Sequence, residues 1–309
     1  MKYIEYINEL VRKKLSENDK VVLFGQNITA GSCLSGLTKK IKVKDNHLVI
    51  NTPNSENSLT GIGFGMMLNN TSSILFLKQQ DFLLLGIDQL VNTYNFIRRK
   101  NPNASFTIIP IIIDNGYQGL QSSFNNFSDI CSIAKIKGFA ITNKDDADFI
   151  INNHLISPGF RIIALSQRLF GEEITDLGKL DNDSEGNFFK YQEGNYATIV
   201  CFNFSLPYGI ELSKKLQEYD KKASLFSVNS LTPINWGKII EDVNITKRLV
   251  IIDDSKTENL PCYSMLSECL KKVKLDKEIV LKRDFSKDWL SPNLDKLEIN
   301  YDDIVVQLL

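Results

Sequence analysis

The stretch Asn51-Thr52-Pro53-Asn54-Ser55-Glu56-Asn57-Ser58-Leu59-Thr60-Gly61-Ile62-Gly63-Phe64-Gly65 decides how the chain is read. It runs from the end of an apolar segment through a proline turn into a helical segment rich in glycine. Glu56 opens that helix, where the helix dipole favours a carboxylate by less than about 1 kcal/mol. The glycines at 61, 63 and 65 let neighbouring backbone come close to the helix.

Outward from this segment, short apolar runs alternate with helical patterns. Ile4 to Leu15 has apolar residues at helical spacing. Strands are expected at Val21 to Phe24, His47 to Asn51, Ile74 to Leu77, Thr107 to Ile113, Phe139 to Thr142 and Arg161 to Leu165. Their shortness and β-branching suit the buried strands of a parallel sheet. Helices are expected between them, at Ser58 to Leu68, Phe82 to Arg99, Ile130 to Ile136 and Asp145 to Ile156.

Phe170 to Gly194 is polar and reads as a linker. A second series follows, with strands at Tyr196 to Phe202, Ala223 to Val228, Arg248 to Asp253 and Glu278 to Lys282. Its helices are expected at Tyr208 to Tyr219, Asn235 to Val243, Ser264 to Val273 and from Asn293 onward. The expectation is an α/β protein of two domains, 1–170 and 195–309, each a mostly parallel sheet flanked by helices, joined by a linker at 171–194. A length of 309 residues fits two domains of roughly 150 each.

Charge excludes some functions. Lys and Arg number 36 against 37 Asp and Glu, a net charge of -1. Nothing in that balance attracts nucleic acid or an anionic membrane. Five scattered cysteines without a CxxC pair read as reduced thiols of a cytoplasmic protein. Met1 to Lys20 is charged and amphipathic rather than a signal peptide, and no apolar run reaches the roughly 18 residues that span a bilayer.

The segment around Glu56 resembles one in the β subunits of 2-oxoacid dehydrogenases: Thr-Pro, two residues, a glutamate, then small residues. These are thiamine-diphosphate enzymes, related to the C-terminal part of transketolases. A second segment, Asp81-Phe82 followed by Gly86-Ile87-Asp88-Gln89, is similar to the family's pattern of an Asp-Phe or Thr-Phe pair followed four residues on by a small residue, an apolar residue, Asp and Gln. The likeness continues through Phe160 to Leu165, Ala197 to Val200, Ser227 to Ile234 and Arg248 to Asp254. It implies a pyrimidine-binding domain followed by a transketolase C-terminal-type domain.

The resemblance assigns Glu56 to the aminopyrimidine ring of thiamine diphosphate and Phe82 to stacking on that ring. The chemistry asks for a carboxyl there. The cofactor loses a proton from its thiazolium C2 only after its 4′-amino group tautomerises, and a carboxyl on N1′ exchanges the proton that drives this. Low dielectric strengthens such a hydrogen bond. Taken without the resemblance, Glu56 is an ordinary first-turn acid and Phe82 a core aromatic.

Where relatives carry Gly-x-x-His-Ser, this chain has Gly116-Tyr117-Gln118-Gly119-Leu120-Gln121-Ser122-Ser123, with Ser122 in the histidine's place. Tyr117 and Ser122 are the substrate-side candidates, against the alternative of a polar surface loop. Serine donates one hydrogen bond but carries no charge. That opens a two-carbon ketol transfer, or a partner-supplied histidine, beside 2-oxoacid decarboxylation. His47 and His154 read as structural or exposed.

The chain contains no Gly-Asp-Gly segment, no GxxxxGK[ST] loop and no GxGxxG fingerprint. In the family, Gly-Asp-Gly and a downstream Asn hold the diphosphate through Mg2+. The resemblance therefore implies an α-type partner subunit that supplies diphosphate and metal binding, in an α2β2 or β–β assembly. A non-catalytic assembly subunit is the alternative of another class.

Overall fold

The computed structural model describes residues 1–100, 102–115, 124–230, 234–284 and 297–309. Two six-stranded sheets carry the fold. In the first, the strands β1 (Val21–Gly25), β2 (Leu48–Asn51), β3 (Ser72–Leu77), β4 (Ser105–Ile112), β5 (Gly138–Ile141) and β6 (Gly159–Ser166) are ordered β2-β1-β3-β4-β6-β5. Every pairing is parallel. A parallel sheet must be covered on both faces. Helices α1 (Tyr3–Ser16) and α5 (Lys144–His154) cover one face, while α2 (Glu56–Leu68) and α4 (Phe127–Ala134) cover the other.

The second sheet contains β7 (Asp181–Asn182), β8 (Phe188–Gln192), β9 (Ala197–Phe202), β10 (Ala223–Val228), β11 (Arg248–Asp253) and β12 (Lys277–Leu281). Their order is β12-β11-β9-β10-β8-β7. β9 to β12 are parallel, whereas β8 runs antiparallel to β10 and β7 antiparallel to β8. Thus part of the polar stretch read as a linker folds as strands and completes a sheet. Phe188, Phe189 and Tyr191 are buried there, an apolar triplet masked in the sequence by its polar flanks.

Helices α6 (Leu206–Gln217), α7 (Gly237–Thr246), α8 (Cys262–Lys272) and α9 (Tyr301–Leu308) cover the second sheet. α9 begins later than the expected Asn293; Asn300 caps it by accepting from the Asp303 amide. It packs on α6 and buries Ile304, Val305 and Leu308.

The expected helix from Phe82 to Arg99 is not regular. It is a 3-10 segment at Gln80–Gly86, a π turn at Gln89–Thr93, the α-helical turn α3 (Tyr94–Ile97) and a 3-10 end at Arg98–Lys100. Gly86 shows what shapes it. A Cβ there would stand 2.8 Å from Thr60 Oγ1 of α2, so the segment lies against α2 closer than a helix bearing side chains allows.

One apolar cluster runs through both halves, from Tyr3 and Val11 on α1 to Ile199, Leu225 and Leu308. The sheets also meet directly. Phe139 bridges Ser230, and the Ala140 amide donates to the Asn229 carbonyl at 2.7 Å.

Candidate functional site

Glu56 is the first residue of α2 and only 4% exposed. Its Ser55 cap makes no side-chain hydrogen bond to the helix. Among the described residues the Glu56 carboxylate has no hydrogen bond and no ion pair. The helix it opens is held tightly from below. A Cβ on Gly63 would fall 2.2 Å from the Phe106 ring, and one on Gly61 would fall 3.3 Å from the Gln89 side chain. The glycines read from the sequence as close-approach positions are such at 61 and 63; Gly65 faces open space.

Phe82 lies on the 3-10 segment that packs along α2, one turn before Gly86. Gly86 sits against the other side of the same junction, where its Cβ would be 3.4 Å from the Glu56 carbonyl oxygen. Phe82 is half-buried and belongs to none of the apolar clusters. The neighbouring Leu83 fills the core instead, while Leu84 and Leu85 are exposed. The core-aromatic alternative for Phe82 therefore does not describe its surroundings. Tyr117 and Ser122 lie outside the described residues.

Sequence reasoning passed over Asp81. It is 2% exposed, and among the described residues no side chain hydrogen-bonds to either of its buried carboxylate oxygens. Burial raises its pKa to about 7; the amides of Asp81 and Phe124 and the charge of Lys256 moderate the shift. Lys256 belongs to the second half of the chain and is itself 2% exposed. Its amide donates to the Asn125 carbonyl at 2.7 Å.

Around these residues the two halves are joined by buried polar groups. Asn203 Nδ2 donates to Asn125 Oδ1 at 2.7 Å and to Asp254 Oδ1 at 3.0 Å. Arg168 Nη2 donates to Asp254 Oδ2 at 2.8 Å, and the Arg168 amide donates to Asp114 Oδ1 at 2.9 Å. Burial pushes the Asp114 carboxyl up, and the Arg168 charge with the Ser166 hydroxyl pulls it back. No contact in this network links residues close in sequence, so no local motif announces it.

Both histidines are structural. His47 is buried and its Nε2 meets the Asn18 carbonyl at 2.8 Å. His154 stacks on Phe139 at 4.4 Å, with Nε2 on the Glu185 carbonyl at 2.8 Å. Among the described residues no group of three or more His, Cys, Asp or Glu is placed to hold a metal, and no helix is long and apolar enough to cross a membrane.

The two-sheet α/β architecture is that of the transketolase fold. A solved split-gene transketolase, described as an inactive β4 tetramer, superposes with a TM-score of 0.72 at 14% identity, covering 98% of this chain and 95% of its own. No protein-family profile matches the chain.

Among curated proteins, the chain is 22% identical over 267 residues to the pyruvate dehydrogenase E1 subunit beta-1 of Arabidopsis thaliana, covering 83% of this chain and 73% of the relative. It is 20% identical to the β subunit of an acetoin:2,6-dichlorophenolindophenol oxidoreductase of Cupriavidus necator, covering 81% and 78%. It is 18% identical to the 2-oxoisovalerate dehydrogenase β subunit of Bacillus subtilis, covering 87% and 82%. The resemblance read from the sequence is borne out: the chain is a relative of the β subunits of 2-oxoacid dehydrogenases, built on the transketolase-type fold.

Proposed function

We propose that this chain is the β-type subunit of a split thiamine-diphosphate enzyme, acting on a 2-oxoacid or ketose-type substrate by decarboxylation or two-carbon transfer. The observation that supports this reading most is the place of Glu56, a residue 4% exposed at the start of α2 whose carboxylate has no protein partner among the described residues. A carboxylate so little exposed and without a protein partner gains from a donor that enters its site. An aminopyrimidine ring nitrogen suits it, because it offers both a hydrogen bond and an exchangeable proton.

In this reading Glu56 holds and moves the proton at ring N1′, and its burial sharpens the interaction. Phe82, half-buried and outside the apolar clusters, offers its face to the same ring. Bound there, thiamine diphosphate would supply the acidic carbon at which the substrate's carbon–carbon bond is broken. Tyr117 and Ser122 stand on the substrate side. The serine in place of histidine keeps two-carbon transfer as the second reading.

The division into a pyrimidine-binding half, 1–170, and a C-terminal half, 195–309, is part of the same proposal. So are an α-type partner that holds the diphosphate through Mg2+, an α2β2 or β–β assembly, and a cytoplasmic location. The test is calorimetric titration of thiamine diphosphate with Mg2+ into the isolated chain and into its complex with the partner. Tight binding by the complex alone supports the split site; equal tight binding by the isolated chain overturns it.

A further inference from the structure

Strand β2 is an open edge of the first sheet, with β1 as its neighbour among the described residues. Alternate residues of an edge strand turn their N–H and C=O groups outward, where no strand receives them. Such an edge is commonly blunted by a charge or a proline on the strand itself. Leu48-Val49-Ile50-Asn51 carries neither. Val49 packs into the apolar cluster that holds α1, together with Leu34, Leu37 and Ile41 of the crossover from β1. Leu48 and Ile50 alternate to the other face. Their partners across the ladder, Val22 and Phe24, belong to the opposite cluster. On that face α2 packs over β3 and β4 rather than over β2. Leu48 is therefore 54% exposed and Ile50 39%.

Charge beside this edge is one-sided. From Arg12 through β2 the chain holds eight Lys and Arg against three Asp and Glu, within a protein whose net charge is -1. The fold gathers them. Arg12 Nε donates to the Lys40 carbonyl at 3.1 Å, which sets the basic end of α1 against the crossover. Lys42 and Lys44 stand on the turn that leads into β2. Lys20 directly precedes β1 and lies near the same turn, since His47 Nε2 meets the Asn18 carbonyl at 2.8 Å. Lys44 pairs with Asp19 and Lys14 with Glu17. Lys20 and Lys42 form no ion pair among the described residues and are exposed.

The edge offers backbone pairing and two aliphatic contacts, and the lysines set the sign of what can pair there. A second copy placed edge to edge would bring two basic surfaces together, which like charge opposes. We propose that β2 receives an extended acidic segment of a partner protein, added to the sheet as a further strand. Its apolar residues lie on Leu48 and Ile50, and its carboxylates lie toward Lys20 and Lys42. Nothing in this depends on the role of Glu56, which follows the carboxyl end of β2, whereas these lysines gather at its amino end.

The probe is a fluorescein-labelled peptide of alternating valine and glutamate, titrated into the full chain while anisotropy is followed. A valine-lysine peptide and a short DNA duplex are its comparators. The expected result is saturable binding of the valine-glutamate peptide, with the valine-lysine peptide weaker by about tenfold or more. A 13C-carbonyl label on the bound peptide should move its amide band to the β-sheet position. Ile50→Glu and the double variant Lys20→Glu/Lys42→Glu each change exposed side chains, so circular dichroism and Tm should match the wild type. Each should weaken the acidic peptide by about tenfold or more. Equal affinity for the two peptides, wild-type affinity in either variant, or tighter binding of the duplex than of the acidic peptide would each overturn the proposal. So would self-association of the chain that Ile50→Glu disperses, which would give the edge to a second copy.

Discussion

Arg168, just after the last strand of the first sheet, donates to Asp254, just after β11 of the second, at 2.8 Å in the interior. The same guanidinium lies 3.8 Å from Asp114, donates to the Phe204 carbonyl at 3.1 Å and sits over the Tyr208 ring. One cation therefore compensates two buried carboxylates from different halves of the chain.

Arg168→Ala should cost about 3 to 5 kcal/mol, because it strands Asp114 and Asp254 in the interior without their counter-charge. Arg168→Lys should recover only part, since an ammonium cannot reproduce the guanidinium fork. Chemical denaturation measures both; a loss below about 1 kcal/mol for Arg168→Ala would mean the halves are held by apolar contact alone.

The glycines of α2 should separate by position. Gly63→Ala drives a methyl into the Phe106 ring and should destabilise by about 1 to 3 kcal/mol. Gly65→Ala meets nothing within 4 Å and should stabilise by about 0.5 to 1 kcal/mol through helix propensity. Thermal unfolding of the two variants decides it; equal effects would contradict the packing described.

Asp81 makes stability depend on pH. Its pKa is raised from 3.8 to about 7 by burial, so the folded chain favours the protonated form. The stability this contributes is fully present below about pH 4 and is lost as pH rises through 7. The Lys256 charge on the facing element opposes the shift without cancelling it. Asp81→Asn should therefore gain on the wild type by a few kcal/mol between pH 4 and pH 7.5. A difference independent of pH would show that folding leaves the Asp81 pKa unshifted.

Phe82→Ala should leave stability within about 1.5 kcal/mol of wild type, since the ring is outside the apolar clusters. The same change should weaken thiamine-diphosphate binding by the assembled complex at least tenfold, by loss of a stacking face. A large stability loss with unchanged cofactor affinity would return Phe82 to the core.

The legible part of this fold was what short-range pattern carries. Apolar runs placed β1 to β6 and β9 to β12, and helical spacing placed α1 and α5 to α8. Glu56 was legible because a proline turn and glycines mark the start of α2. What stayed hidden depends on contacts distant in sequence. β7 and β8 form because Phe188 to Gln192 pairs with β10, which no local signal announces. The irregular path from Gln80 to Lys100 follows from the closeness of Gly86 to Thr60. Asp81 looked like part of a motif. Its importance lies in being buried where it feels the charge of Lys256, a residue of the other half.

The role of the carboxylate at position 56 is tested most directly by Glu56→Gln in the chain assembled with its α-type partner, assayed for turnover. The variant keeps the shape of the side chain and removes only its ability to exchange a proton. Turnover should fall by about a hundredfold or more, with assembly and Tm unchanged. Turnover equal to wild type in an intact complex would contradict it.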